Sequence, residues 1–138
     1  FRETSKKKFI LNLDQFSNSL SITKSIEVVY GLRNFIGNAN KFAKDKIFIN
    51  IRSDNNITEI IIEDDGDGYP NDVLRRIGEP YIKSYKSSIK SKSGLGLGIF
   101  IGKTLLEKNY ANILCRNSQT RSGAEVSIKW NNKDLINL

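Results

Sequence analysis

Ser93-Gly94-Leu95-Gly96-Leu97-Gly98-Ile99-Phe100-Ile101-Gly102-Lys103-Thr104 is the stretch on which the reading of this chain turns. It borrows from two nucleotide-binding patterns and completes neither. A phosphate-binding P-loop, GxxxxGK[ST], would close on Gly102-Lys103-Thr104, but Leu97 stands where its opening glycine belongs. The dinucleotide fingerprint GxGxxG, begun at Gly96, puts Ile101 in the place of its third glycine. What remains is three alternating glycines leading into a helix predicted over Gly98 to Lys108, with apolar positions at Ile99, Ile101, Leu105 and Leu106. Residues without Cβ let a chain lie against phosphates with its N–H groups exposed, and a helix N-terminus adds roughly half a positive charge. Leu95, Leu97 and Ile99 would pack between the glycines and anchor such a loop. Taken alone, the glycines serve a hinge or a close-packed contact equally well.

Immediately upstream, GEPYIKSYKSSIKSKS from Gly78 to Ser93 is polar, rich in Ser and Lys and without periodicity. A loop of this length in a small domain suggests a lid. Before it, Asp64-Asp65-Gly66-Asp67-Gly68-Tyr69-Pro70 sits at the end of a strand and reads as DxGxG. A buried carboxylate there accepts hydrogen bonds only, so it suits an exocyclic amine, while the glycines let the backbone turn and approach a flat base. An acidic turn is the plainer reading. A calcium loop is disfavoured, because counting from Asp64 the twelfth position, where a bidentate Glu belongs, is Arg75.

Further upstream, Ser25 to Lys44 carries Val28, Val29, Leu32, Phe35, Ile36, Ala39 and Ala43 at helical spacing, with Ser25 as the N-cap. On the same helix Asn34, Asn38 and Lys41 fall at i, i+4 and i+7 and form one polar stripe. An Asn carbonyl is a hard ligand suited to Mg²⁺, and Lys41 could meet a phosphate as a point charge. A solvated helix face remains the bland alternative. Strands are predicted at Phe9–Leu13, Lys46–Arg52, Ile57–Glu63, Ala111–Arg116 and Ala124–Trp130, with a short helix near Asn71 to Ile77. The order β-α-β-β-α-lid-α-β-β predicts an α+β fold, a two-layer α/β sandwich with helices on one face of a mixed sheet.

The 138 residues are 38% hydrophobic, enough for one domain with its own core, so residues 1–138 are read as a single domain with a lid at about 78–98. The chain has no His, which removes imidazole general bases, the serine and cysteine triads and most zinc sites. One Cys excludes an internal disulfide and a cysteine metal cluster. The net charge of +7 suits a polyanionic ligand, but the basic residues are spread along the chain with no interleaved aromatics, so nucleic acid is not the expected partner. With no Met and a start at Phe1, the sequence is expected to be a domain of a longer chain.

Four stretches occur together in order: LRNFIGNANKFA, EDDGDGYP, GEPYIKSYK and SGLGLGIFIGKTLLEK, closed by SGAEVSIKW. In this the chain resembles the catalytic and ATP-binding domain of bacterial sensor histidine kinases, within the wider GHKL family shared with gyrase and Hsp90, from about Ser25 to Trp130. The resemblance implies the Bergerat ATP-binding fold, with a mixed, mainly antiparallel sheet covered on one face by helices, and ATP and Mg²⁺ as ligands. It assigns Asn34, Asn38 and Lys41 to the catalytic centre, with Asn38 on Mg²⁺ and Lys41 on phosphate. Phe42 would pack near the nucleotide, Asp64 would bind the adenine amine, and Gly66 and Gly68 would admit the base. Gly94, Leu95, Gly96, Leu97 and Gly98 would shape the phosphate end of the lid, and Lys83 or Lys86 would reach the phosphates when it closes.

Asn34 stands where ATP-hydrolysing relatives carry a water-activating glutamate, and an amide takes no proton at neutral pH, so the resemblance favours a kinase. Two departures are Gly78-Glu79-Pro80-Tyr81 in place of the usual phenylalanines and Ala124 in place of the usual threonine. GEPY, GLGLG, KTLLE and GAxVxxxW are similar to the Reg-type redox sensor kinases. The implied partners are the protein's own dimerisation domain bearing the phosphoacceptor histidine, a second copy in a homodimer, and a response regulator. The implied location is a cytoplasmic domain of a membrane-anchored sensor. The alternatives are a GHKL ATPase or serine kinase, or a non-catalytic nucleotide or nucleic-acid binding module.

Overall fold

The computed structural model describes residues 7–13, 25–75, 77 and 95–136. Strand β1 (Lys8–Leu13) is followed by helix α1 (Ile26–Phe42), then by β2 (Lys46–Ser53) and β3 (Ile57–Asp64). A short α2 (Asn71–Arg75), α3 (Leu95–Lys108), β4 (Asn112–Asn117), β5 (Ala124–Asn131) and a one-turn α4 (Asn132–Ile136) complete it. The five strands form one sheet in the order β1-β2-β3-β5-β4, with only β1 and β2 parallel. Parallel pairing of neighbours needs a crossover, and α1 supplies it. The predicted α+β sandwich with a mainly antiparallel sheet is the observed fold.

Ser25 caps α1, its Oγ accepting the Val28 N–H at 3.3 Å. Of the predicted apolar stripe, Val28, Phe35, Ala39 and Ala43 are buried, and Leu32 and Ile36 pack against them. Val29 lies off the stripe and is 37% exposed. The sheet answers with Ile47, Ile62, Val126, Ile128 and Trp130, which alternate with outward-facing residues as period 2 requires. Burial of each such side chain contributes about 1.5–3 kcal/mol. Trp130 satisfies its indole N–H on the Asn109 carbonyl at 3.0 Å. On the outer face the buried carboxylates Glu59, Glu63 and Glu125 pair with Arg52, Arg121 and Arg116.

Helices α1 and α3 cross at two glycines. A Cβ on Gly31 would fall 2.8 Å from Leu106 Cγ, and one on Gly102 would fall 2.8 Å from the Phe35 ring. Gly102 is thus a close-packing position, and Lys103 pairs with Glu107 along the helix at 2.8 Å. The structure ends α1 at Phe42 and α2 at Arg75, two residues before their predicted ends, and begins α3 at Leu95, not Gly98, so Gly96 and Gly98 belong to its first turn. The last turn of the chain, α4, was not anticipated; it is too short to carry a periodic signal.

Candidate functional site

Asp64 ends β3 with its side chain on the helix-facing side of the sheet, 4% exposed. Its Oδ1 accepts the N–H of Gly66 at 2.9 Å and of Ala124 at 3.2 Å. Among the described residues Oδ2 accepts no hydrogen bond. Burial raises the Asp64 pKa, and the two backbone N–H groups only partly offset that, so the carboxyl stays above its ordinary value. Asp64 lines a cavity together with Phe35, Ala39, Phe42, Ile62, Tyr69 and Val126. An apolar slot with a single carboxylate acceptor matches a flat heterocycle that offers an amine donor.

The turn after Asp64 explains its glycines. A Cβ on Gly66 would lie 2.2 Å from the Phe42 carbonyl oxygen, where only Gly fits. Gly68 has φ +81°, in the left-handed region. Asp65 points the other way, as the next residue along an extended chain must, and its carboxylate collects the N–H groups of Lys44, Asp45 and Lys46 at 2.9, 3.0 and 3.1 Å. That bond set ties the end of α1 to the end of β3, and so fixes Phe42 against Asp64.

Asn38 forms the far end of the cavity and the near end of an open groove lined by Arg33, Asn34, Gly37, Lys41, Gly98 and Ile101. Its Nδ2 is buried without a hydrogen-bond partner among the described residues. Gly98 presses on the same amide, since a Cβ there would be 3.2 Å from Asn38 Oδ1. Asn34 lines the groove while its Nδ2 donates to the Tyr30 carbonyl at 2.9 Å. Lys41 is exposed, with Nζ 5.6 Å from the centre of the Phe42 ring. Among the described residues no three His, Cys, Asp or Glu side chains gather to hold a metal. A lone amide oxygen fits Mg²⁺ that takes the rest of its shell from water and phosphate.

The structure therefore brings Asn34, Asn38, Lys41, Phe42, Asp64, Gly68 and Gly98 to a cavity and a groove that share Asn38, while Gly66 lines neither and packs behind Asp64 against the Phe42 carbonyl. Lys83, Lys86 and Gly94 lie outside the described residues, and Leu95, Gly96 and Leu97 are described only as backbone of the first turn of α3. Sequence reasoning missed Asp65 as the tie, Asn117 and Gly123 around the turn, and Arg33 and Gly37 on the groove. Asp65 had a signal: in a strand-end Asp-Asp pair, period 2 sends one carboxylate in and the other out.

Comparison with known proteins follows from this geometry. Residues 23–134 match the family model described as histidine kinase-, DNA gyrase B- and HSP90-like ATPase. The chain is 36% identical over 125 residues to the sensor histidine kinase RegB of Cereibacter sphaeroides, covering 79% of this chain and 27% of that protein. The chain thus spans about a quarter of that relative's length. Among solved structures it is similar to the catalytic domain of histidine kinase ThkA, with a TM-score of 0.70, 18% identity, and 92% of this chain and 80% of that one covered. The mycobacterial sensor histidine kinase MprB superposes with a TM-score of 0.69 at 20% identity, over 94% of this chain and 86% of that one.

Proposed function

The chain belongs to the family of histidine kinase-, DNA gyrase B- and HSP90-like ATPases, and from that premise we propose that its cleft holds Mg-ATP and presents the terminal phosphate to a histidine on another domain. It is an ATP-binding catalytic domain of the sensor histidine kinase type. The observation that carries the ligand assignment is the continuity of the cleft at Asn38. One end offers the Asp64 carboxylate to an adenine amine, and the other offers Lys41 and Arg33 to phosphates.

Asn38 would hold Mg²⁺ through its side-chain oxygen, and the ion would neutralise phosphate charge there. Lys41, one turn on, would meet a phosphate oxygen. Asn34 supports transfer over hydrolysis: the described groove carries no carboxylate, and an amide hydrogen-bonded into its own helix has no basic site for a water proton. The 138 residues contain no His, so a phosphoacceptor histidine must come from other residues. We assign it to a dimerisation domain of the same protein, acting in a homodimer, with a response regulator receiving the phosphoryl group. Gly96 and Gly98, in the first turn of α3, would border the phosphates, over which we expect Lys83 or Lys86, with Gly94, to close. No helix among the described residues is long and apolar enough to cross a membrane. From its similarity to a sensor histidine kinase we place the domain on the cytoplasmic side of a membrane-anchored sensor.

Isothermal calorimetry tests the assignment. ADP and ATP should bind, with Mg²⁺ strengthening both. Asp64→Asn should greatly weaken binding of both nucleotides, while Asn38→Ala should remove only the Mg²⁺-dependent part. A folded wild-type chain that binds neither nucleotide overturns the proposal, and steady phosphate release by the isolated chain would favour a hydrolase.

A further inference from the structure

Tyr69 forms part of one wall of the cavity, together with Gly68 and Pro70; the Pro70 carbonyl accepts the Leu74 N–H of α2, and Tyr69 itself is held by β4. The Tyr69 N–H donates to Asn117 Oδ1 at 2.6 Å, and the Tyr69 carbonyl accepts from Asn117 Nδ2 at 3.2 Å. Among the described residues these two backbone groups have no other partner. Two residues back on the same face of β4, Cys115 lies near the Tyr69 phenol. The Asn117 amide also occupies the room beside Gly68, where a Cβ would meet Oδ1 at 2.6 Å. Neither Asn117 nor Cys115 lines the cavity.

An amide that offers one donor and one acceptor substitutes for a neighbouring strand, and here it does so for a turn with a left-handed glycine. We propose that Asn117 is a positioning residue for the nucleotide: it sets the gap between the Gly68–Tyr69–Pro70 wall and Asp64, and so clamps the base without touching it. The inference rests on the reading of the cavity as the base site. Removal of the amide orphans two backbone groups and frees the wall to move.

The test titrates adenosine, ADP and ATP into wild type, Asn117→Ala and Asn117→Asp at 25 °C, with the folded fraction followed by circular dichroism. Because the wall meets the base end, Asn117→Ala should weaken all three ligands by the same factor, about tenfold. Asn117→Asp keeps the acceptor for the Tyr69 N–H and should fall between. Cys115, the only cysteine in the chain, supplies a second readout. Burial pushes its thiol up to about 11, so labelling by a thiol reagent should be slow, slower with ADP, and faster and less ADP-sensitive in Asn117→Ala. Unchanged affinities, a loss confined to ATP, or unchanged Cys115 labelling would each overturn the inference. Should Asn117→Ala not fold, wild-type affinities in Asn117→Asp overturn it. Wild type that binds neither adenosine nor ADP overturns the base-site reading itself, which separates the two failures.

Discussion

Gly123 lies against Asp64 so closely that a Cβ on it would fall 2.1 Å from the Asp64 carbonyl oxygen and 2.2 Å from the carboxylate Oδ1. The glycine before β5 thereby lets the Ala124 N–H reach the carboxylate and hold it in place. Gly123→Ala should displace Asp64 and cost nucleotide affinity about tenfold or more, together with stability. Asp64→Asn, close in shape, should keep the melting temperature near wild type and lose affinity alone. Calorimetry beside thermal unfolding separates the two; a Gly123→Ala variant with wild-type affinity would falsify the contact's role.

Asp64 and Asp65 are adjacent but should titrate in opposite senses. For Asp64, burial outweighs the N–H groups of Gly66 and Ala124, so its folded pKa lies above the ordinary 3.8. The folded state then takes up its proton before the unfolded chain does, and ionised Asp64 costs stability at neutral pH. A protonated carboxyl offers a hydroxyl where adenine needs an acceptor. Nucleotide affinity should therefore fall as pH drops through that raised value, ahead of the ordinary carboxylate range. A pH series of ADP titrations on wild type should bend there, and the residual binding of Asp64→Asn should not.

For Asp65, desolvation pushes the pKa up, but the backbone N–H groups of Asp45, Lys46 and Lys44 outweigh it and bring it below 3.8. Its contribution to stability is present in full above the unfolded value and disappears as pH falls through the lower folded one. Asp65→Ala should cost about 1–3 kcal/mol at neutral pH, since three N–H groups lose a charged acceptor. The cost should shrink in acid. Urea unfolding of the two proteins at neutral pH and below about pH 4 measures it; an unchanged difference at both would exclude the Asp65 tie as its source.

How much of this was legible in advance depended on the range of the interaction. The stripe from Val28 to Ala43, the alternation in Ile47-Phe48-Ile49 and the cap at Ser25 are local, and each appears where the pattern placed it. The parallel pairing of β1 with β2 is not local, because register across a crossover is set by the finished sheet. The start of α3 escaped because Gly96 and Gly98 have poor helix propensity, which the packing of Gly98 on Asn38 and Gly102 on Phe35 overrides. The order of Asn38, Asp64 and the glycines revealed the cleft. Gly123 and Asn117 carried no such mark, since their importance lies in which atoms arrive beside them.

Two helical glycines should respond to the same substitution with opposite signs. Gly37, in α1, has nothing within 4 Å of where its Cβ would be, and its φ is not positive. Alanine there gains about 0.5–1 kcal/mol through helix propensity and lost unfolded-state entropy, with no clash to offset it. Gly102, in α3, would place a Cβ 2.8 Å from Phe35 Cε2 and 3.2 Å from the Gly31 carbonyl oxygen. The Phe35 ring is buried and the Gly31 oxygen is backbone, so neither can yield cheaply. Gly102→Ala should force α1 and α3 apart at their crossing and cost about 1–3 kcal/mol despite the same propensity gain. Because Asn38 sits three residues from Phe35 on α1, the separation should also loosen the Gly98 contact and lower Mg²⁺-dependent ATP affinity. Chemical denaturation of both variants, paired with nucleotide titrations of Gly102→Ala, decides it: a stabilised Gly102→Ala would mean that the helices do not cross at Gly31 and Gly102 as described, and a destabilised Gly37→Ala that the space beside Gly37 is not open.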